Sequence, residues 1–91
     1  MNRSELKSAT AAIGVSDRLV AIRGYAEYAW CVVPSEDGSW EVFWGERGNK
    51  VELERFSSEQ QGCTYLLGRL AYSQILAGLT WPDAQAPQSE S

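Results

Sequence analysis

Residues 25–33 read as a β-strand that has no polar face. Because side chains alternate along a strand, one face carries Tyr28, Trp30 and Val32 and the other carries Ala29, Cys31 and Val33. Strands that are covered on both faces have this composition, whereas half-exposed strands show one polar face. Pro34 ends the run because proline cannot donate a hydrogen bond to the ladder. The chain is therefore predicted to build a sheet around a central strand at 25–33.

Three further segments complete the predicted sheet. The β-branched run at 19–23 is the first strand, with Gly24 as a bend, and Asp37-Gly38 is a hairpin turn before a strand at 40–44. Alternation in that strand places Trp40, Val42 and Trp44 on one face and Glu41 and Phe43 on the other. A fourth strand spans 50–55, with Val51 and Leu53 inward and Lys50, Glu52 and Glu54 outward. The order predicts an antiparallel meander.

Two helices are predicted at the ends of this sheet. A short amphipathic helix spans 3–13, with Asn2 and Glu5 spaced for a capping box and Gly14 placed to end it. A longer helix begins at Ser57, capped with Gln60, and ends at Ala77 or Gly78. Its predicted core stripe is Cys63, Leu66, Leu67, Leu70, Gln74 and Ala77. The predicted fold class is α+β: a four-stranded antiparallel meander packed on one face by the long C-terminal helix and the short N-terminal helix.

The length of 91 residues allows one domain, which we place at 1–82. Residues 83–91 consist of small, polar and acidic residues, so a flexible tail is expected there. No run of about 18 apolar residues occurs, and the N-terminal residues do not resemble a signal peptide. We therefore expect a cytoplasmic protein that does not associate with a membrane.

Most catalytic and metal chemistry is disfavoured by the residue types present. The chain has no histidine, which excludes Ser-His-Asp and Cys-His arrangements and histidine-bearing metal sites. Cys31 and Cys63 lack C-x-x-C spacing and are expected to be buried free thiols. Glu41 with Glu52 or Glu54 could form an acid–base pair, but outward-facing acids on a strand are usually only solvated. We expect no enzyme activity and no cofactor or metal.

Charge narrows the class of partner. The formal net charge is −4 and the sequence pI is about 4.7, with eight Lys and Arg that form no cluster. Because nucleic-acid binding needs a basic face, nucleic acid is not an expected partner. The expected partner is a basic protein.

Two surfaces are candidate contacts. The first is an outer sheet face that would present a phenylalanine among carboxylates to a basic partner, formed by Glu41, Phe43, Glu52 and Glu54. Its alternative is an ordinary solvated sheet face with one exposed aromatic side chain. The second is a stripe along the long helix opposite its core face, formed by Tyr65, Tyr72, Leu76 and Leu79. This stripe could form a homodimer contact, or it could pack against the N-terminal helix or Trp81.

Residues 40–50 combine a Trp-led strand with a Glu-Arg-Gly turn, and residues 56–67 begin with Phe and an acidic-capped helix start. Within a match over about 25–75, this pattern resembles small bacterial immunity proteins that are encoded beside polymorphic toxins. Gly62 departs from the pattern, in which alanine would precede Cys63. The resemblance implies a cytoplasmic antitoxin that binds and neutralises a cognate toxin domain, and it implies no shared binding residues.

Two other functions stay open from the sequence. One is a structural homodimer or assembly subunit that uses the helix stripe. The other is a small-molecule sensor whose apolar pocket is lined by Trp30, Trp40 and Trp44.

Overall fold

The computed structural model describes residues 1–78, in which two helices pack on a four-stranded sheet. The elements are, in chain order, α1 (Arg3–Ala12), a 3₁₀ turn (Asp17–Leu19), β1 (Val20–Ala21), β2 (Ala29–Pro34), β3 (Trp40–Glu46), β4 (Asn49–Phe56) and α2 (Glu59–Ala77). The predicted α+β class is therefore confirmed. The predicted domain end at Pro82 and the predicted tail at 83–91 lie outside the described residues. Within residues 1–78, neither helix combines the length and hydropathy that crossing a bilayer requires.

The sheet is mixed, so the prediction of a wholly antiparallel meander is wrong. Its strand order is β1-β2-β3-β4, and β2, β3 and β4 pair antiparallel as predicted. β1, however, pairs parallel with β2 through Val20 and Trp30. The predicted strand at 25–33 begins only at Ala29, because residues 22–28 are a connection that returns the chain to the end of the sheet from which β1 started. A parallel pair requires such a crossover.

The sequence predicted the N-cap of α1 at the observed residue and the N-cap of α2 one residue too early. The Asn2 side chain accepts from the Glu5 amide and the Glu5 side chain accepts from the Asn2 amide, which confirms the predicted capping box. In α2 the N-cap is Ser58, one residue later than predicted, and its side chain accepts from the Gln61 amide. Gly78 ends α2 in the left-handed conformation (φ 73°), as a C-terminal glycine does.

The helices run parallel to each other above one face of the sheet, which we call the helix face. At their N-termini the Arg3 amide donates to the Glu59 carboxylate at 2.9 Å, and at their C-termini the Gln74 side-chain amide donates to the Ile13 carbonyl at 2.9 Å. The core between them and the sheet consists of Leu6, Val15, Val20, Val32, Val42, Cys63, Leu66 and Leu70. Of the predicted α2 core stripe, Cys63, Leu66 and Leu70 are buried and Leu67 packs half-buried against the core. Gln74 is half-buried and Ala77 is exposed, so the prediction holds only for the first four positions.

The opposite side of the sheet, the outer face, has no helix. Register places Cys31 beside Phe43 and Val33 beside Glu41 on this face. Cys31 and Phe43 are nevertheless fully buried, because residues 24–28 of the β1–β2 connection lie against them. The thin fold thus covers its outer face with a short segment of irregular chain.

Candidate functional site

The large apolar side chains that remain exposed lie in distinct regions of residues 1–78. They are Leu19, Tyr25, Tyr28, Val51, Tyr72, Ile75 and Leu76. Leu19 and the two tyrosines lie before β2, Val51 lies on the edge strand β4, and the last three share the C-terminal turns of α2. Contiguous exposed apolar residues, rather than single ones, mark contact surfaces.

We call Tyr72, Ile75 and Leu76 the α2 surface. Their exposed fractions are 63%, 46% and 68%. Spacings of three and four residues bring them together on one side of the helix, while Leu66 and Leu70 point into the core. The sequence predicted Tyr72 and Leu76 for such a surface but missed Ile75, and Leu79 lies outside the described residues. Tyrosine and large aliphatic side chains on a rigid helix suit a protein contact.

Tyr65, the other residue predicted for this stripe, lies half-buried. Its ring is 5.0 Å from that of Phe56, and its hydroxyl accepts a hydrogen bond from Arg69 at 2.9 Å. Arg69 also pairs with the Glu52 carboxylate and lies over the Trp30 ring, 4.7 Å from its centroid. The bond to Tyr65 is the main cause that raises the pKa of Arg69. This part of the stripe therefore anchors α2 to the sheet.

In the structure, the four residues of the first predicted contact surface lie on two different faces of the sheet. Phe43 is 0% exposed rather than presented to solvent, since Tyr25 stacks on its ring at 5.9 Å. Glu41 is 5% exposed, and its two carboxylate oxygens pair with Lys50 at 2.7 Å and Arg55 at 2.9 Å. Glu41 and Phe43 thus lie together on the outer face, but they are not an exposed aromatic among free carboxylates.

Glu52 and Glu54 lie on the helix face, contrary to the predicted alternation. Between the pairs Val42–Glu54 and Trp44–Val51, β4 contains one more residue than β3, and Glu52 has a positive φ of 55°. This β-bulge shifts the alternation, so Glu54 shares the helix face with Val42. Glu54 is exposed and forms no ion pair within the described part of the chain. Whether the four predicted residues contact a partner stays a prediction.

The three tryptophans of the predicted sensor pocket do not converge on one pocket. Trp30 and Trp44 contact each other edge to face, with centroids 5.7 Å apart, whereas Trp40 lies at the other end of β3 beneath the Arg3 guanidinium at 4.9 Å. An open cleft of about 800 Å³ lies elsewhere, between the end of β4 and the start of α2, and Phe56 and Tyr65 contribute to its lining. The geometry gives no support to a sensor pocket built from all three indoles.

Among residues 1–78, no cluster of three or more Cys, Asp or Glu side chains is positioned to hold a metal ion. Both cysteines are free and buried, and burial raises the pKa of each thiol.

Comparison with known proteins adds no relative. No family model, curated protein or solved structure matches the chain.

Proposed function

We propose that this chain is a non-catalytic immunity protein that binds and neutralises a cognate bacterial toxin domain in the cytoplasm. The observation that carries the proposal is the α2 surface, where Tyr72, Ile75 and Leu76 are contiguous and exposed. The resemblance of residues 40–50 and 56–67 to immunity proteins supports the same class. Exposed aromatic and aliphatic side chains on a capped helix lose little conformational entropy when they are covered.

Charge supports a basic partner. The chain carries a net charge of −4, and Glu54 stands exposed and unpaired, among residues 1–78, on the same side of the sheet as α2. An acidic rim beside an apolar centre accelerates association with a cationic surface, while the apolar centre supplies most of the affinity. The proposed contact therefore centres on the α2 surface, with Glu54 as a further acidic residue on the same side of the sheet. Sequence alone predicted the toxin contact at Glu41, Phe43, Glu52 and Glu54, and the helix stripe as a homodimer contact.

A growth assay with the product of the adjacent gene tests the proposal. We expect that product to arrest growth when expressed alone and to be neutralised, with a one-to-one complex, when this chain is co-expressed. Leu76→Glu should abolish protection, because it places a charge in the buried centre of the contact. Glu54→Lys should slow association, because it repels a basic partner. Glu36→Lys is a matched charge control in the β2–β3 turn. A neighbouring product that is not toxic, or whose toxicity persists, would contradict the proposal.

The α2 surface also favours a second candidate, a homodimer formed by two copies of the same patch. Stable interfaces of either kind bury about 1,200 Å² or more in total, so a homodimer and a toxin contact alike would extend beyond these three side chains. The homodimer is the weaker candidate because the resemblance of residues 40–50 and 56–67 supports only the immunity class.

A further inference from the structure

Residues 24–28 cover the outer face without belonging to the sheet or to a helix. Tyr25 stacks on Phe43 with an interplanar angle of 23°, and the Ala26 amide donates to the Cys31 sulfur at 3.4 Å. The Tyr28 amide donates to the Gly45 carbonyl at 2.6 Å. We call residues 24–28 the strap.

Glu27 fastens the strap to the β3–β4 turn. One carboxylate oxygen accepts from the Arg47 amide at 2.8 Å, and the other accepts from the Gly48 amide and the Tyr25 hydroxyl, both at 2.8 Å. Arg47 and Gly48 have positive φ values of 55° and 79°, which turn consecutive amides toward one anion. Since Glu27 is exposed, this fastening competes with water.

Gly45 makes close contact with the strap possible. A Cβ at this position would lie 2.1 Å from the Ala26 carbonyl oxygen, so only glycine fits beneath the strap. The strap therefore fits its position closely, yet one aromatic stack and a few hydrogen bonds hold it there.

We infer that the strap opens locally while the helix layer stays folded, and that opening exposes Phe43 and Cys31. The physical reason is that segments with few apolar contacts and exposed hydrogen bonds open at lower free energy than the core. Two of its fastening groups, Tyr25 and Glu27, are themselves exposed, whereas α1 and α2 bury a continuous apolar core. This inference does not depend on the proposed function. It supplies a route by which Phe43, on the outer face, becomes accessible to a partner.

The two cysteines provide an internal comparison. Cys31 lies beneath the strap, Cys63 lies on α2 in the core between the helices and the sheet, and both residues are 0% exposed. Native protein would be treated with iodoacetamide, and labelling at each thiol followed by mass spectrometry with rates normalised to the unfolded chain. We expect Cys31 to react at least about tenfold faster than Cys63, with little dependence on low urea concentrations, because local opening exposes little surface. Equal rates with equal urea dependence would overturn the inference.

A substitution of Glu27 tests whether its hydrogen bonds hold the strap closed. Glu27→Gln should accelerate labelling of Cys31 several-fold, since it weakens the hydrogen bonds that hold the strap, and should accelerate labelling of Cys63 by no more than the same factor. Glu36→Gln, an acid in the β2–β3 turn outside the strap, should change neither rate. An unchanged rate at Cys31 in Glu27→Gln would also overturn the inference.

Discussion

Gly62 of α2 packs directly against Val42 of β3: a Cβ on Gly62 would lie 3.3 Å from Val42 Cγ2. This contact is tighter than ordinary van der Waals packing, so the glycine lets α2 approach the sheet closely. The same glycine is the position at which the sequence departs from the immunity-protein pattern. Its helix-propensity cost of about 1 kcal/mol is offset by closer packing in the core.

Two glycines in α2 offer a matched pair of substitutions. Gly68→Ala meets nothing within 4 Å and should stabilise the protein by about 0.5–1 kcal/mol through helix propensity. Gly62→Ala should stabilise it less or destabilise it, because Val42 must shift. Urea denaturation measures both free energies of unfolding. An equal gain at the two positions would contradict the close approach at Gly62.

Phe43→Ala should destabilise the protein by about 3–5 kcal/mol, the usual cost of removing a buried phenylalanine. The expectation follows from its complete burial beneath Tyr25. Tyr72→Ala, which truncates an aromatic residue that is 63% exposed, is the control and should change stability by less than about 0.5 kcal/mol. Thermal and urea unfolding report both. A similarly small effect at Phe43 would restore the interpretation that it is a surface residue.

Acid should release the Glu27 fastening. The Tyr25 hydroxyl, followed by the Gly48 and Arg47 amides, lowers the pKa of Glu27 below its ordinary value of 4.5. The carboxylate's contribution to the free energy of unfolding is therefore complete above the pKa that Glu27 has in the unfolded chain. It is lost as pH falls through the lower pKa that Glu27 has in the folded protein. Ser16, Arg18 and Tyr28 line the same surface cleft as Glu27.

The measurement is the difference in urea midpoint between the wild type and Glu27→Gln. It should be constant near neutral pH and shrink below about pH 4.5, where Glu27 becomes protonated. Asp37, whose pKa is lowered by its hydrogen bonds from Ser39, titrates in both proteins and cancels in the difference. A difference that stays constant down to about pH 2 would show that the Glu27 carboxylate does not stabilise the fold.

The isolated chain should sediment as a monomer at micromolar concentration, because the proposed partner of the α2 surface is a toxin domain and not a second copy of this chain. Sedimentation velocity of the wild type and of Leu76→Glu distinguishes the two candidates. If the wild type and Leu76→Glu are both monomers, the result agrees with an α2 surface that binds a different protein. A wild-type dimer that Leu76→Glu dissociates would favour the homodimer instead.

Sequence reasoning was strongest where structure depends on neighbours along the chain. The Asn2–Glu5 capping box, the Gly78 helix end and the antiparallel pairing of β2, β3 and β4 all follow from local spacing, and all are confirmed. The α2 core stripe followed from helical periodicity, since Cys63, Leu66 and Leu70 are buried. Local rules of this kind need no knowledge of what the element packs against.

Only the tertiary structure decided which side chains are available to a partner. Alternation with period two predicted Phe43 exposed and Glu52 and Glu54 beside it, but the strap buries Phe43 and the bulge at Glu52 turns Glu54 to the helix face. The parallel pairing of β1 likewise depends on the path of residues 22–28 across the sheet. A strap and a bulge are set by contacts between residues far apart in sequence, which one-dimensional periodicity does not contain.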